Sequence, residues 1–194
     1  MLTKKLKNYN IILGSASPRR KQLLAELGIE FTIKTTQKEE HFPEKLEGAE
    51  IAEFLAKQKA DLISGELSAN YLLITADTIV MKDNELLQKP KDTDDAIRIL
   101  NNLSGRSHKV ISAVCIKSAK KEVVFSSITE VFFTNLSDDE INFYIERCKP
   151  FDKAGSYGIQ EWIGFIGIKK IIGSYNNVVG LPTAKLYQKL KLFI

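Results

Sequence analysis

Gly14-Ser15-Ala16-Ser17-Pro18-Arg19-Arg20 sets two arginines in the first turn of a predicted helix. That end of a helix attracts anions, through its free backbone N–H groups and the positive end of its dipole. Cations fixed there carry a small penalty unless they face an anion, and the guanidinium fork suits phosphate oxygens. The competing reading is a surface helix start with two solvated arginines. No G-x-x-x-x-G-K-[ST] loop occurs anywhere in the chain, so a Walker-type phosphate loop is excluded.

Further residues extend the same chemistry. Ala76-Asp77-Thr78 closes an apolar run, and a carboxylate delivered by a buried strand is a natural ligand for magnesium, which takes oxygen donors and few protein ligands. Taken alone it is equally a turn-capping aspartate. Lys89, fixed by Pro90, is a candidate phosphate contact or a surface loop lysine. Lys59 shares a helix side with Leu55 and Leu62 and so borders an apolar face, where lysines commonly snorkel. Glu39-Glu40 lies in a polar loop and offers a second metal ligand or a general base, or is simply solvated. Gln160 follows Asp152-Lys153-Ala154-Gly155-Ser156-Tyr157-Gly158-Ile159, and its amide, both donor and acceptor, could read the edge of a base. A glycine-framed loop runs from Gly173 to Pro182. His108 has no Ser–His–Asp or Cys–His pattern around it and reads as structural.

Singly these signals are weak. Together, several cations, two acidic positions and glycine loops at element ends describe a polyphosphate–metal site, whose chemistry needs cations to neutralise charge, carboxylates to hold magnesium and a base to activate water.

The elements that must position these groups follow from periodicity. Tyr9 to Leu13 predicts a buried first strand. Ser17 as N-cap and Pro18 at the first position start a helix that Gly28 ends. Phe31 to Ile33 predicts a second strand, and Ala49 to Ile63 a second helix. Tyr71 to Thr75 predicts a third strand ending at Ala76-Asp77-Thr78, with Ile79 to Met81 extended again. Asp92 or Thr93 caps a helix stopped by Gly105. Lys109 to Ile116 and Val123 to Phe133 predict a long hairpin. Ser137 with Glu140 forms a capping box, Gly155 to Gly173 predicts loops and short strands, and Pro182 starts a last helix. The order predicts an α/β protein with a mixed sheet, without linker, repeat or low-complexity tract.

The bulk properties agree. The 194 residues, 44% hydrophobic and 27% charged, suit one globular domain over 1–194. A net charge of +4, spread among acids, lacks the dense basic stripe of a nucleic-acid binder. Cys115 and Cys148 are isolated, as in a reducing cytosol. The apolar run Ile11 to Leu13 is too short for a signal core, and no stretch approaches a membrane span. The expectation is a cytoplasmic protein with neither nucleic-acid nor membrane partners.

Ser15-Ala16-Ser17-Pro18-Arg19-Arg20, Ala76-Asp77-Thr78-Ile79-Val80, Lys89-Pro90, Leu103-Ser104-Gly105-Arg106-Ser107-His108, Asp152-Lys153-Ala154-Gly155 and Asn177-Val178-Val179-Gly180-Leu181-Pro182 resemble the successive motifs of the Maf family, in the family's order and over nearly the whole chain. The resemblance implies a Maf/ITPase-like fold: an elongated mixed β-sheet flanked by helices, with two lobes around a deep cleft. It implies a nucleoside triphosphate pyrophosphatase that cuts between the α- and β-phosphates, dependent on Mg2+ or Mn2+. It also implies a homodimer, and a house-cleaning role with a link to septum formation.

Residue by residue, the family's phosphate-binding serine and arginine pair resemble Ser15, Arg19 and Arg20, its acidic loop residue Glu40, its helix lysine Lys59, and its key aspartate Asp77, with Thr78 beside it in the substrate set. Its lysine before proline resembles Lys89 and its glutamine Gln160. Asp77 and Glu40 then share the roles of metal ligand and water-activating base, in an order the sequence leaves open. The Lys89 and Gln160 pattern resembles the dTTP/UTP branch rather than the branch acting on 7-methyl-GTP. The sequence departs from the family in having Glu161-Trp162 where glycine often follows the glutamine, and Gly14 where alanine is common. Two rival expectations are the same fold with another base preference, and a nucleotide-binding regulator of cell division.

Overall fold

In the computed structural model, which describes residues 2–36, 41–68 and 70–194, the chain runs α1 (Leu2–Leu6), β1 (Asn10–Leu13), α2 (Pro18–Ala25), β2 (Thr32–Ile33), α3 (Ala49–Ser64), β3 (Tyr71–Lys82), β4 (Glu85–Leu87), α4 (Thr93–Leu103), β5 (Ser107–Lys117), β6 (Glu122–Phe133), α5 (Asp138–Cys148), α6 (Trp162–Gly167), β7 (Ile168–Ile172), α7 (Tyr175–Val179) and α8 (Thr183–Phe193). Two 3-10 turns, Pro150–Asp152 and Ala154–Ser156, precede α6. The strands form one mixed sheet in the order β2-β1-β3-β5-β6-β7, with β4 paired to β3. Strand β1 is parallel to both β2 and β3, whereas β3–β4 and β6–β7 are antiparallel. Among the described residues, no helix is long and apolar enough to cross a membrane.

The chain divides into two compact units. The first contains the residues up to Asp77, Ser112–Ser127 and Gly180–Ile194. Its order comes from strand alternation, which sends successive side chains to opposite faces. Leu72, Ile74 and Ala76 of β3 join a core with Leu2 and Leu6 of α1, Leu24 of α2, and Leu186, Leu190 and Phe193 of α8. Thr75 alternates to the other face, where its hydroxyl donates to the Ala56 carbonyl of α3 at 2.6 Å. Helix α3 buries Ile51, Ala52, Leu55, Ala56, Ala60 and Ile63. Each large aliphatic side chain removed from water stabilises the unit by roughly 1.5–3 kcal/mol.

The second unit, Thr78–Ile111 and Ile128–Val179, packs α4 and α5 onto Val80, Val110, Val131 and Phe133 through Ile99, Leu100, Leu103, Ile141, Tyr144 and Ile145. Its helices start as the sequence predicts. The Asp92 side chain accepts from Asp95 N–H at the head of α4, and Ser137 and Glu140 form the full capping box of α5.

Two expectations are corrected. Asp77 does not end a strand: β3 runs unbroken from Tyr71 to Lys82, with Asp77 inside it. A charged residue within a strand reads locally as an interruption, but here a lysine from α3 meets it, as described next. Gly155 to Gly173, expected as loops and short strands, also forms helix α6, whose Ile163 is buried in the core of the second unit. The five-residue helices α1 and α7 were likewise not expected from local signals.

Candidate active site

The first unit holds Ser15, Arg19, Arg20, Lys59 and Asp77. Ser17 caps α2, its hydroxyl accepting from Arg20 N–H at 3.4 Å, and Pro18 occupies the first turn. This fixes where Arg20 leaves the helix. Its Nε donates to the Gly180 carbonyl at 2.9 Å and its Nη1 to Ser15 Oγ at 3.2 Å. Ser15 Oγ also accepts from Ser17 N–H at 3.3 Å. The segment predicted to hold phosphate is therefore a built turn, tied to the Gly180 loop by the arginine. Arg19 is half-buried on the same helix start.

Lys59 and Asp77 are brought together. Alternation places Asp77 on the face of β3 that Thr75 presents to α3, and the spacing of α3 places Lys59 on its buried stripe, three residues after Ala56 and four before Ile63. Lys59 Nζ lies 2.5 Å from Asp77 Oδ1 and 3.4 Å from the Ala76 carbonyl oxygen, and each side chain of the pair is only 13% exposed. The snorkelling expected of Lys59 thus has a specific destination.

The second unit holds Thr78, Lys89 and Gln160. Thr78 is half-buried and Lys89 exposed. Gly155 sets the loop that carries Lys89: its N–H donates to the Gln88 carbonyl at 3.2 Å. Its φ of 72° is one that glycine adopts without strain, and a Cβ there would stand 3.0 Å from the Val80 methyls. Gln160 is half-buried, and its Oε1 is buried without a hydrogen-bond partner among the described residues. Such an orphaned acceptor costs about 1–3 kcal/mol. Glu39 and Glu40 lie outside the described residues.

Around Gln160 the sequence reading missed a network. Lys153, 8% exposed, pairs with Glu161 Oε1 at 3.0 Å and with Asp152 Oδ1 at 2.7 Å. Tyr144 donates its hydroxyl proton to Glu161 Oε2 and accepts Gly158 N–H at 3.0 Å. Burial, then the Glu161 contact, push the Tyr144 phenol well above its usual range, so it stays a donor. Tyr144 reads in sequence as one more core position of α5. The unusual Glu161 after Gln160 was the one available signal.

His108 is structural, as expected. It is buried against Phe133 and Tyr157, with Nε2 2.7 Å from the Tyr157 hydroxyl, and burial, with Lys82 adding to it, pushes its pKa down to about 4. Burial raises the Cys115 thiol to about 12, which leaves it unreactive.

Among the described residues no group of three or more His, Cys, Asp or Glu is arranged to hold a metal ion. What they offer is the Asp77 carboxylate, with Lys59 on one oxygen. A single carboxylate fits a hard cation such as magnesium that takes its remaining ligands from substrate phosphates and water.

The mixed sheet with its helices makes this an α/β protein, with a strand-borne carboxylate and an arginine-braced helix start among its candidate site residues. The chain belongs to the Maf-like protein family, whose model matches residues 10–193. It is 52% identical to a dTTP/UTP pyrophosphatase of Flavobacterium psychrophilum, over 96% of both chains. It is 47% identical to the dTTP/UTP pyrophosphatase of Flavobacterium johnsoniae over the full length of both. A third dTTP/UTP pyrophosphatase, from Phocaeicola vulgatus, is 50% identical over 96% of this chain and 97% of its own.

Proposed function

We propose that this protein is a nucleoside triphosphate pyrophosphatase that hydrolyses dTTP and UTP to the monophosphate and pyrophosphate. The base preference is supported by three relatives that are about half identical along nearly their whole length. The observation that carries the chemistry is the Lys59–Asp77 pair, a cation and a carboxylate fixed by α3 and β3.

In this reading Ser15, Arg19, Arg20, Lys59 and Lys89 bind the triphosphate, with Thr78 beside Asp77. Water adds to the α-phosphorus and gives its proton to a carboxylate, Asp77 or Glu40. The bond from that phosphorus to the oxygen bridging the β-phosphate breaks, and pyrophosphate leaves with the electron pair. Mg2+ or Mn2+, held by Asp77 and Glu40, would neutralise charge on the phosphate oxygens. The orphaned Gln160 Oε1 is suited to accept the N3–H of uracil or thymine, a donor that cytosine lacks.

The same reading takes residues 1–194 as one functional domain. It also takes the protein to be a cytoplasmic homodimer without membrane partners, and without nucleic-acid partners, the last supported by the mild, dispersed charge.

The test is pyrophosphate release from dTTP, UTP, CTP, ITP and 7-methyl-GTP, with Mg2+, with Mn2+ and with EDTA. Metal-dependent release favouring dTTP and UTP is expected. A preference for 7-methyl-GTP would replace the substrate assignment, and no release from any nucleotide by folded protein would remove the enzymatic one.

A further inference from the structure

Gly158, Ile159, Gln160 and Glu161 form a tight turn, closed by Glu161 N–H donating to the Gly158 carbonyl at 2.9 Å. Gln160 occupies the third position of that turn, and Ile159 is buried beneath it. The turn is tied a second time at both ends, through one hydroxyl: Tyr144 accepts Gly158 N–H and donates to the Glu161 carboxylate. The other carboxylate oxygen is held by the ammonium of Lys153.

Glu161 also stands at the N-cap of α6, yet its side chain makes no capping hydrogen bond there. It folds back over the turn instead. A Cβ placed at Gly158 would lie 2.8 Å from Glu161 Cδ and 2.9 Å from Gln160 Nε2. The carboxylate and the Gln160 amide therefore border the same point above Gly158.

We propose that Glu161 is a positioning residue for base selection: braced by Lys153 and Tyr144, it fixes the Gly158–Glu161 turn so that the Gln160 amide meets the base in one orientation. The inference rests on the dTTP/UTP reading above and adds to it the device that holds the selecting side chain. An amide offers a donor and an acceptor on one planar group, so it discriminates bases only if its plane is fixed. Where glycine follows the glutamine, no carboxylate is available for this brace. In this chain the brace belongs to Glu161.

The experiment compares wild type, Glu161→Gln and Tyr144→Phe. It measures kcat and KM for dTTP, UTP and CTP, and inhibition by dTMP and by pyrophosphate. Displacement of a positioned group by about 1 Å costs up to about a hundredfold. A loosened but intact turn is expected to lower kcat/KM for dTTP by about tenfold, chiefly through KM, and the dTTP-to-CTP ratio by a similar factor. Inhibition by dTMP should weaken, whereas inhibition by pyrophosphate, which has no base, should not change.

Tyr144→Phe, which removes one hydroxyl, should move the same quantities in the same direction, and it decides the matter if Glu161→Gln does not fold. A dTTP-to-CTP ratio within twofold of wild type in a folded variant overturns the positioning role, as does an equal loss for every nucleotide together with weaker pyrophosphate inhibition. Wild type that releases no pyrophosphate from dTTP or UTP overturns the substrate reading itself, a result distinct from either.

Discussion

Lys59 Nζ, from α3, lies 2.5 Å from Asp77 Oδ1, within β3, with each side chain only 13% exposed. A carboxylate so placed is held in one position on a rigid strand. Asp77→Asn preserves the volume and removes the charge. It is expected to reduce kcat by about 10²–10⁴-fold, the usual worth of a positioned acid or base. Near-normal turnover would remove Asp77 from the mechanism. Because the amide removes the charge that pairs with Lys59, a fall in Tm is also expected. Adding Lys59→Met should restore Tm without restoring kcat.

Arg20 bridges two points, the Gly180 backbone carbonyl through Nε and the Ser15 hydroxyl through Nη1. Lysine keeps the charge but has no fork to span both. Arg20→Lys should therefore lower stability by about 1 kcal/mol, the net worth of a hydrogen bond, and raise KM for the triphosphate while kcat changes little. Urea unfolding and steady-state kinetics check the two parts. Unchanged stability would mean that the bridge does not hold the loop.

His108 makes stability depend on pH. Folded, it stays neutral down to about pH 4, whereas an unfolded histidine takes up its proton near pH 6.5. Between these values the unfolded chain binds more protons, so stability falls as pH is lowered through the window, by up to about 3 kcal/mol. Unfolding free energies at pH 7 and pH 4.5 measure the slope. The double variant His108→Leu/Tyr157→Phe removes both hydrogen-bonding partners and should flatten it. An unchanged slope in that variant would assign the acid sensitivity to other groups.

The parts of this fold written into the sequence are those with local causes. Ser17-Pro18 announces the start of α2, Ser137 and Glu140 announce α5, and the α3 stripe is plain in its spacing. The continuity of β3 was hidden because Asp77 interrupts an apolar run, and what compensates it, Lys59, is eighteen residues away and on another element. Helices α1 and α7 have five residues each, below the length at which local preference sustains a helix. For α1, burial of Leu2 and Leu6 in the first core supplies what its sequence lacks. The candidate phosphate residues were legible as residue types, but the brace around Gln160 was not. Tyr144 has the spacing of a core residue, and only the fold shows that its hydroxyl joins Gly158 to Glu161.

Gly155 gives the last prediction, because two separate constraints meet there. Its φ of 72° strains any residue with a Cβ, and that Cβ would stand 3.0 Å from two Val80 methyls in the second core. Gly155→Ala should therefore destabilise by about 1–3 kcal/mol. Its N–H also donates to the Gln88 carbonyl, one residue before Lys89, so displacement of the turn shifts the lysine as well. KM for the triphosphate should rise with the fall in Tm. Lys89→Ala separates the two effects: Lys89 is exposed, so its removal should raise KM with Tm unchanged. A normal KM in Lys89→Ala would take Lys89 out of substrate binding and leave Gly155 with a purely structural role.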